Sequence, residues 1–126
     1  MTETTLLLRQ INPSFVQQGR VTSQAFRPTP KDQQKLSVYD GDLISAPDSW
    51  AHFTQIQHLQ SIGVLGVTVQ ECRNEELVVR SSPEHFAEHA EIDFLEFTPN
   101  QCEKKGKRLR SAAEARGWLH RVEEGV

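Results

Sequence analysis

Short apolar runs separated by polar turns predict five strands in this chain. Each run either alternates apolar with polar positions or is rich in the apolar residues that fill buried strands. The turns Asn12-Pro13 and Asp40-Gly41 end two of them. The strands are expected at residues 5–11, 35–39, 64–69, 77–79 and 90–97.

Residues 12–35 are predicted to form a long loop, because they contain three prolines together with many Gln and Ser residues. One short extended piece is expected within it, at residues 21–26. The last residues, 122–126, are expected to be a frayed tail.

The clearest helix is predicted over residues 45–62, with Ser45 as N-cap and Pro47 in its first turn. Apolar residues recur at intervals of three and define one face, which is expected to carry the main hydrophobic core with its first two members among the most buried residues. This stripe consists of Trp50, Phe53, Ile56, Leu59 and Ile62. A second helix, residues 107–116, is expected to end at Gly117.

This order of elements predicts a single α+β domain over residues 1–126. Its sheet is expected to be mixed but mostly antiparallel, with about five strands and the two helices packed on it. The strand–helix–strand unit over residues 36–69 is the one place where a parallel pair is expected.

Composition agrees with a globular domain, since 37% of the 126 residues are hydrophobic and 25% are charged. No apolar run is long enough to span a membrane, and the N-terminus lacks the basic start of a signal peptide. Two cysteines make neither a disulfide framework nor a four-ligand zinc site. A cytoplasmic protein without a cofactor or a membrane partner is therefore expected.

The charge is uneven, because residues 104–121 carry seven Lys and Arg against one Glu, whereas the whole chain has a net charge of −3. This basic segment is either a surface for a protein partner or a solvated helix face that complements the acidic remainder of its own fold. Nucleic acid is possible but not favoured, since the run lacks interleaved aromatic residues. The candidate partner-binding residues are Lys104, Lys105, Lys107, Arg108 and Arg110.

Two further patterns bear on possible chemistry. His85 and His89 stand four residues apart, a spacing that on a helix could share a metal ion, but two histidines do not complete a first shell and no metal is predicted. Cys72 follows a predicted buried strand and is expected to be a packed thiol, with a nucleophile as the alternative.

Four polar residues of extended segments form the candidate catalytic group: Arg9, Ser23, Ser37 and His89. Arg9 interrupts an apolar strand, so it either faces solvent or meets polar partners as an anion clamp. Ser37 is either a plain strand residue or, with His89, part of a nucleophilic site. We predict that Arg9, Ser37 and His89 lie on one sheet face within contact reach.

The same positions resemble a group of small bacterial proteins of unknown function, in which an Arg strand, a Ser-x-x-Phe, a Leu-Ser-Val strand and a His-Ala-x-Ile strand are expected. The resemblance covers roughly residues 8–95 and implies no activity; His85-Phe86-Ala87 is an insertion relative to it. The matching residues are Arg9, Ser23, Phe26, Leu36, Ser37, Val38, His89, Ala90 and Ile92.

Two functions follow as hypotheses. The first is a small cytoplasmic interaction or accessory protein that works beside a larger protein partner. The alternative is a compact enzyme acting on a phosphate-bearing substrate through Arg9, Ser37 and His89. The enzyme requires these side chains to share one concave pocket, whereas the interaction protein requires only a surface.

Overall fold

The computed structural model describes residues 1–28, 34–94 and 96–122. They form one α+β domain around a curled antiparallel sheet of six strands, so the predicted fold class is confirmed. Two further short strands form a separate hairpin. The strands are β1 (Leu6–Gln10), β2 (Val16–Gln17), β3 (Arg20–Val21), β4 (Lys35–Asp40), β5 (Gly63–Thr68), β6 (Val78–Ser81), β7 (His89–Asp93) and β8 (His120–Arg121).

The sheet order is β6-β7-β4-β1-β5-β8, and every pairing among the described strands is antiparallel. The expected parallel pair is therefore not formed. β1 lies between β4 and β5 and pairs with both, so the connection from β4 to β5 crosses over it. The pairing of β1 with β5 covers five residue pairs, from Leu6↔Thr68 to Gln10↔Val64.

The predicted first helix begins where expected but is much shorter. Ser45 caps α1 (Ala46–Ala51) by accepting a hydrogen bond from the Asp48 amide. The chain then widens into a π-helical turn, His52–Ile56, and leaves the helix. The predicted core role of Trp50 and Phe53 is wrong, because both are only half-buried.

The last helix is longer than predicted, α3 (Pro99–Arg116). It starts at a capping box in which the Thr98 and Gln101 side chains each bond the other's backbone amide. Gly106, one residue before the predicted start, lies inside the helix. A Cβ there would meet the Phe26 carbonyl at 3.2 Å, so glycine allows the helix to approach the preceding layer.

The core consists of two apolar clusters on opposite faces of the sheet. The larger one lies under α3 and α2 (Val69–Asn74), and the smaller one lies under α1. Alternation along β1 sends Leu7 to the larger cluster and Leu8 to the smaller one. Fully buried members of the larger cluster include Ile11, Phe26, Leu36, Ile92, Phe94 and Leu109.

The predicted loop at 12–35 contains more structure than one extended piece. Its described part holds two 3-10 turns, Pro13–Phe15 and Ser23–Phe26, on either side of the β2–β3 hairpin, and residues 29–33 lie outside the described residues.

Of the predicted tail, residues 123–126 also lie outside the described residues. Val122 is held to the sheet, because its amide donates to the Ile62 carbonyl at 2.9 Å. Among the described helices, none combines the length and the apolar character needed to cross a membrane.

Candidate functional site

A cavity of about 480 Å³ opens beside the sheet where β1 and β4 separate. The ladder between these strands has two residue pairs, Leu7↔Asp40 and Leu8↔Tyr39, and ends there. The π-helical turn and the segment before β7 close its other sides. Its apolar lining is Leu8, Val38, Phe53, Ile56, Leu59 and Phe86, and its polar lining is Arg9, Gln10, Ser37, Tyr39, His52, Gln57, His85 and His89.

Ser37 and His89 form a hydrogen-bonded pair in this cavity. They belong to neighbouring strands, since Tyr39 pairs with His89 and Ser37 is two residues before Tyr39 on the same face. The Ser37 Oγ lies 3.2 Å from His89 Nε2, and His89 Nδ1 lies 3.0 Å from the Ser82 carbonyl oxygen.

The second contact determines the tautomer of His89. A carbonyl oxygen can only accept, so Nδ1 carries the proton and donates to Ser82. The lone pair of neutral His89 is then on Nε2, where it accepts the hydroxyl proton of Ser37. His89 is only 6% exposed and its orientation is held from both sides, whereas Ser37 is open to the cavity mouth.

Arg9 is also one of the residues that line the cavity, but its side chain belongs to the other face of the sheet. By strand alternation its side chain lies on the face of Leu7, where the guanidinium carbon is 5.5 Å from the centroid of the Phe15 ring, which packs against the larger cluster. Its Nη1 donates to the Ser37 carbonyl at 2.9 Å and its Nε to the Ala25 carbonyl at 2.7 Å. The predicted contact between Ser37 and His89 is thus found, but the prediction that Arg9 shares their sheet face is wrong, because Arg9 lies on the opposite face and bonds the Ser37 backbone.

Ser23 does not join this group. It lies in the 3-10 turn Ser23–Phe26, which packs against α3 on the larger core cluster, and it is not among the residues that line the cavity. The extended conformation expected for this segment is therefore wrong, and with it the placement of Ser23 beside Ser37.

A second polar group in the cavity was missed by the sequence analysis. The Tyr39 hydroxyl lies 2.8 Å from His52 Nδ1, and the Gln57 amide nitrogen lies 3.5 Å from the same hydroxyl. Burial, with the charge of Glu88, raises the pKa of Tyr39 well above its ordinary value, so the phenol stays protonated. Phe86 packs on this pair, with its ring centroid 5.0 Å from Tyr39 and 4.7 Å from His52.

The two histidines of the spaced pair lie together without making a metal site. Their rings meet edge to face, with centroids 4.8 Å apart. Within residues 1–28, 34–94 and 96–122, His, Cys, Asp and Glu side chains nowhere gather in a group of three or more that could hold a metal ion.

Cys72 is a packed core residue. It is fully buried, and that burial, with the charges of Glu71 and Glu75, raises the pKa of its thiol to about 12.

Because the thiolate is the reactive form, we expect Cys72 in a Cys102→Ser variant to resist a disulfide reagent such as DTNB at pH 8 until urea unfolds the chain. Rapid stoichiometric reaction of the folded variant would contradict this placement.

The basic segment of α3 is largely engaged within the fold. Lys105 donates to the Glu75 carbonyl, and Arg108 pairs with the Glu75 carboxylate at 2.7 Å. Lys107 and Arg110 lie within 4 Å of Glu103 and Glu114 along the helix, and Lys104 is exposed. This pattern favours the second of the two alternatives, a helix face whose cations complement the acidic remainder of the chain. A partner surface here stays a prediction.

Comparisons of the chain with known protein families, with curated proteins and with solved structures find no match.

Proposed function

We propose that the protein is a small enzyme that hydrolyses an ester bearing a negatively charged group such as phosphate, with Ser37 as nucleophile and His89 as general base. One observation carries the proposal. The Ser37 hydroxyl, at the mouth of a cavity, lies 3.2 Å from an imidazole whose other nitrogen is held by a backbone carbonyl. A nucleophile, a base and a group that orients the base are the parts that activate a serine.

The reaction follows from the positions of the protons. Ser37 Oγ attacks the ester carbonyl carbon while its proton passes to His89 Nε2. The bond from that carbon to the alcohol oxygen breaks, and His89 returns the proton to the departing alcohol. Water then attacks the acyl-Ser37 ester, again giving a proton to His89, which passes it to Ser37 as the carboxylic acid leaves.

Arg9 supports the negatively charged group of the substrate. Arg9 is one of the residues that line the cavity, and its guanidinium bonds the Ser37 carbonyl from the opposite sheet face, so it brings positive charge close to the backbone of the nucleophile. Such a charge favours a phosphate or carboxylate nearby. Its bond to Ser37 also positions the backbone of the nucleophile where the β1–β4 ladder has ended.

Covalent labelling tests this proposal. A fluorophosphonate probe reacts with an activated serine and not with ordinary hydroxyls, so we expect one adduct per chain. Peptide mass spectrometry should place it on the segment that contains Ser37, and denatured protein should not react. Labelling at another serine, or none at all in folded protein, would reject Ser37 as the nucleophile.

An interaction protein remains a second proposal, and the edge of the sheet favours it. Among the described strands β6 pairs with β7 alone, and its Val78 is 54% exposed. A protein partner that adds a strand to this edge would cover that residue. Crosslinking in cell extract with a photoreactive group at position 78, compared with the same group at exposed Ser111, tests it: a specific adduct at 78 supports the proposal and equal adducts at both positions reject it.

A further inference from the structure

We infer that the ester substrate carries an apolar acyl chain, and that this chain leaves the cavity across Ile56 and Leu59. The inference rests on the proposed function and names its substrate class, an ester of an aliphatic acid. It assigns to these two residues the recognition of the chain.

The first observation is the unusual exposure of the two side chains. Ile56 is 67% exposed and Leu59 is 49% exposed, although both are large aliphatic residues. Both also line the cavity that holds Ser37 and His89. Deeper in the same cavity the wall continues with Phe53 and Leu8, so apolar surface runs from the inner wall to the mouth. A ligand with one apolar arm would bury this surface.

The second observation is the backbone that places them there. In a regular helix Ile56 would continue the face of Trp50 and Phe53, as the spacing predicted. The π-helical turn His52–Ile56 adds one residue to that turn and rotates the following positions away from the sheet.

After the π-helical turn the chain leaves the helix, so no regular helical turn brings the following residues back to the face of Trp50 and Phe53. His58 adopts a left-handed conformation with φ of 57°, which a residue with a side chain rarely does. The Leu59 amide donates to the Phe53 carbonyl at 3.1 Å and closes the segment. Wide turns of this kind occur often at functional sites, and this one turns an expected core stripe toward a cavity mouth.

A comparison of ester substrates tests the inference. For the wild type, we expect kcat/KM to be higher for p-nitrophenyl octanoate than for p-nitrophenyl acetate. In the Ile56→Ser/Leu59→Ser variant, we expect the octanoate-to-acetate ratio to fall by about tenfold or more, since a tenfold change is only about 1.4 kcal/mol of binding free energy. The matched control is Leu43→Ser, which alters an exposed apolar residue outside the cavity and should keep the wild-type ratio. An unchanged ratio in the first variant would overturn the inference.

Direct binding separates this inference from the proposed chemistry. Titration calorimetry of decanoate into the Ser37→Ala protein needs no catalysis. We expect binding that weakens about tenfold or more with Ile56→Ser/Leu59→Ser added. A different result is that Ile56→Ser/Leu59→Ser weakens decanoate binding even though the wild type neither hydrolyses esters nor reacts with the fluorophosphonate. That result would reject the serine mechanism and retain Ile56 and Leu59 as the binding site for the acyl chain. The inference would be overturned if decanoate did not bind, or if it bound equally well to the Ser37→Ala protein with and without Ile56→Ser/Leu59→Ser.

Discussion

Ser37→Ala is expected to abolish ester hydrolysis, and His89→Gln to slow it by about 10²–10⁴-fold, the usual contribution of a positioned general base. The reason is that the Ser37 hydroxyl must lose its proton as it attacks the ester. The Nε2 lone pair, directed by the Nδ1 contact to Ser82, lies within hydrogen-bond reach of this hydroxyl and can remove the proton. The measurement is kcat with a p-nitrophenyl ester across pH 5–9, with circular dichroism to establish that each variant folds.

The control for this prediction is Ser111→Ala, an exposed serine on α3 far in sequence from the cavity residues, which should keep full activity. If the two single variants act through one proton transfer, Ser37→Ala/His89→Gln should be no slower than Ser37→Ala alone. A folded His89→Gln protein with wild-type kcat would show that His89 is not the base.

Phe26→Ala is expected to lower the free energy of unfolding by about 3–5 kcal/mol, because it empties a fully buried site. Phe26 packs in the larger core cluster next to α3, where its carbonyl lies against Gly106. Phe53→Ala should cost only about 1–2 kcal/mol, since Phe53 is half-buried at the cavity wall. Urea unfolding of both variants, followed by tryptophan fluorescence, measures the difference.

The comparison between the two phenylalanines decides which cluster carries the stability. The hydrophobic stripe alone predicted the opposite order, with Phe53 as the main contributor. Equal losses, or a larger loss for Phe53→Ala, would mean that the α1 face and not the α3 face holds the main core.

Part of the candidate site was predictable from single residues. Arg9 interrupts an apolar strand, and a charge in that place needs polar partners, which here are the Ala25 and Ser37 carbonyls. Ser37 and His89 were expected on one sheet face within contact reach, and the β4–β7 register brings them together. Ser23 was assigned wrongly, because a 3-10 turn and a short extended piece look alike in so polar a segment.

The rest of the site carried no local signal. Tyr39 and His52 are 13 residues apart, and their contact depends on how α1 is placed over β4. Phe86 belongs to a segment without periodicity, yet its ring contacts Tyr39 and His52. Only the folded arrangement makes these three residues neighbours.

Signals within a few residues were enough to specify most strands, the cap at Ser45, the end of α3 at Gly117 and the α+β class, because capping and alternation depend on near neighbours. The sheet order was decided by long-range pairing, in which β1 enters between β4 and β5 and excludes a parallel pair. The π-helical turn was decided in the same way. The spacing of apolar residues alone describes a continuous helix from 45 to 62. The chain instead leaves the helix early to meet β5. Because it does so, Ile56 and Leu59 are exposed and the cavity opens beside them.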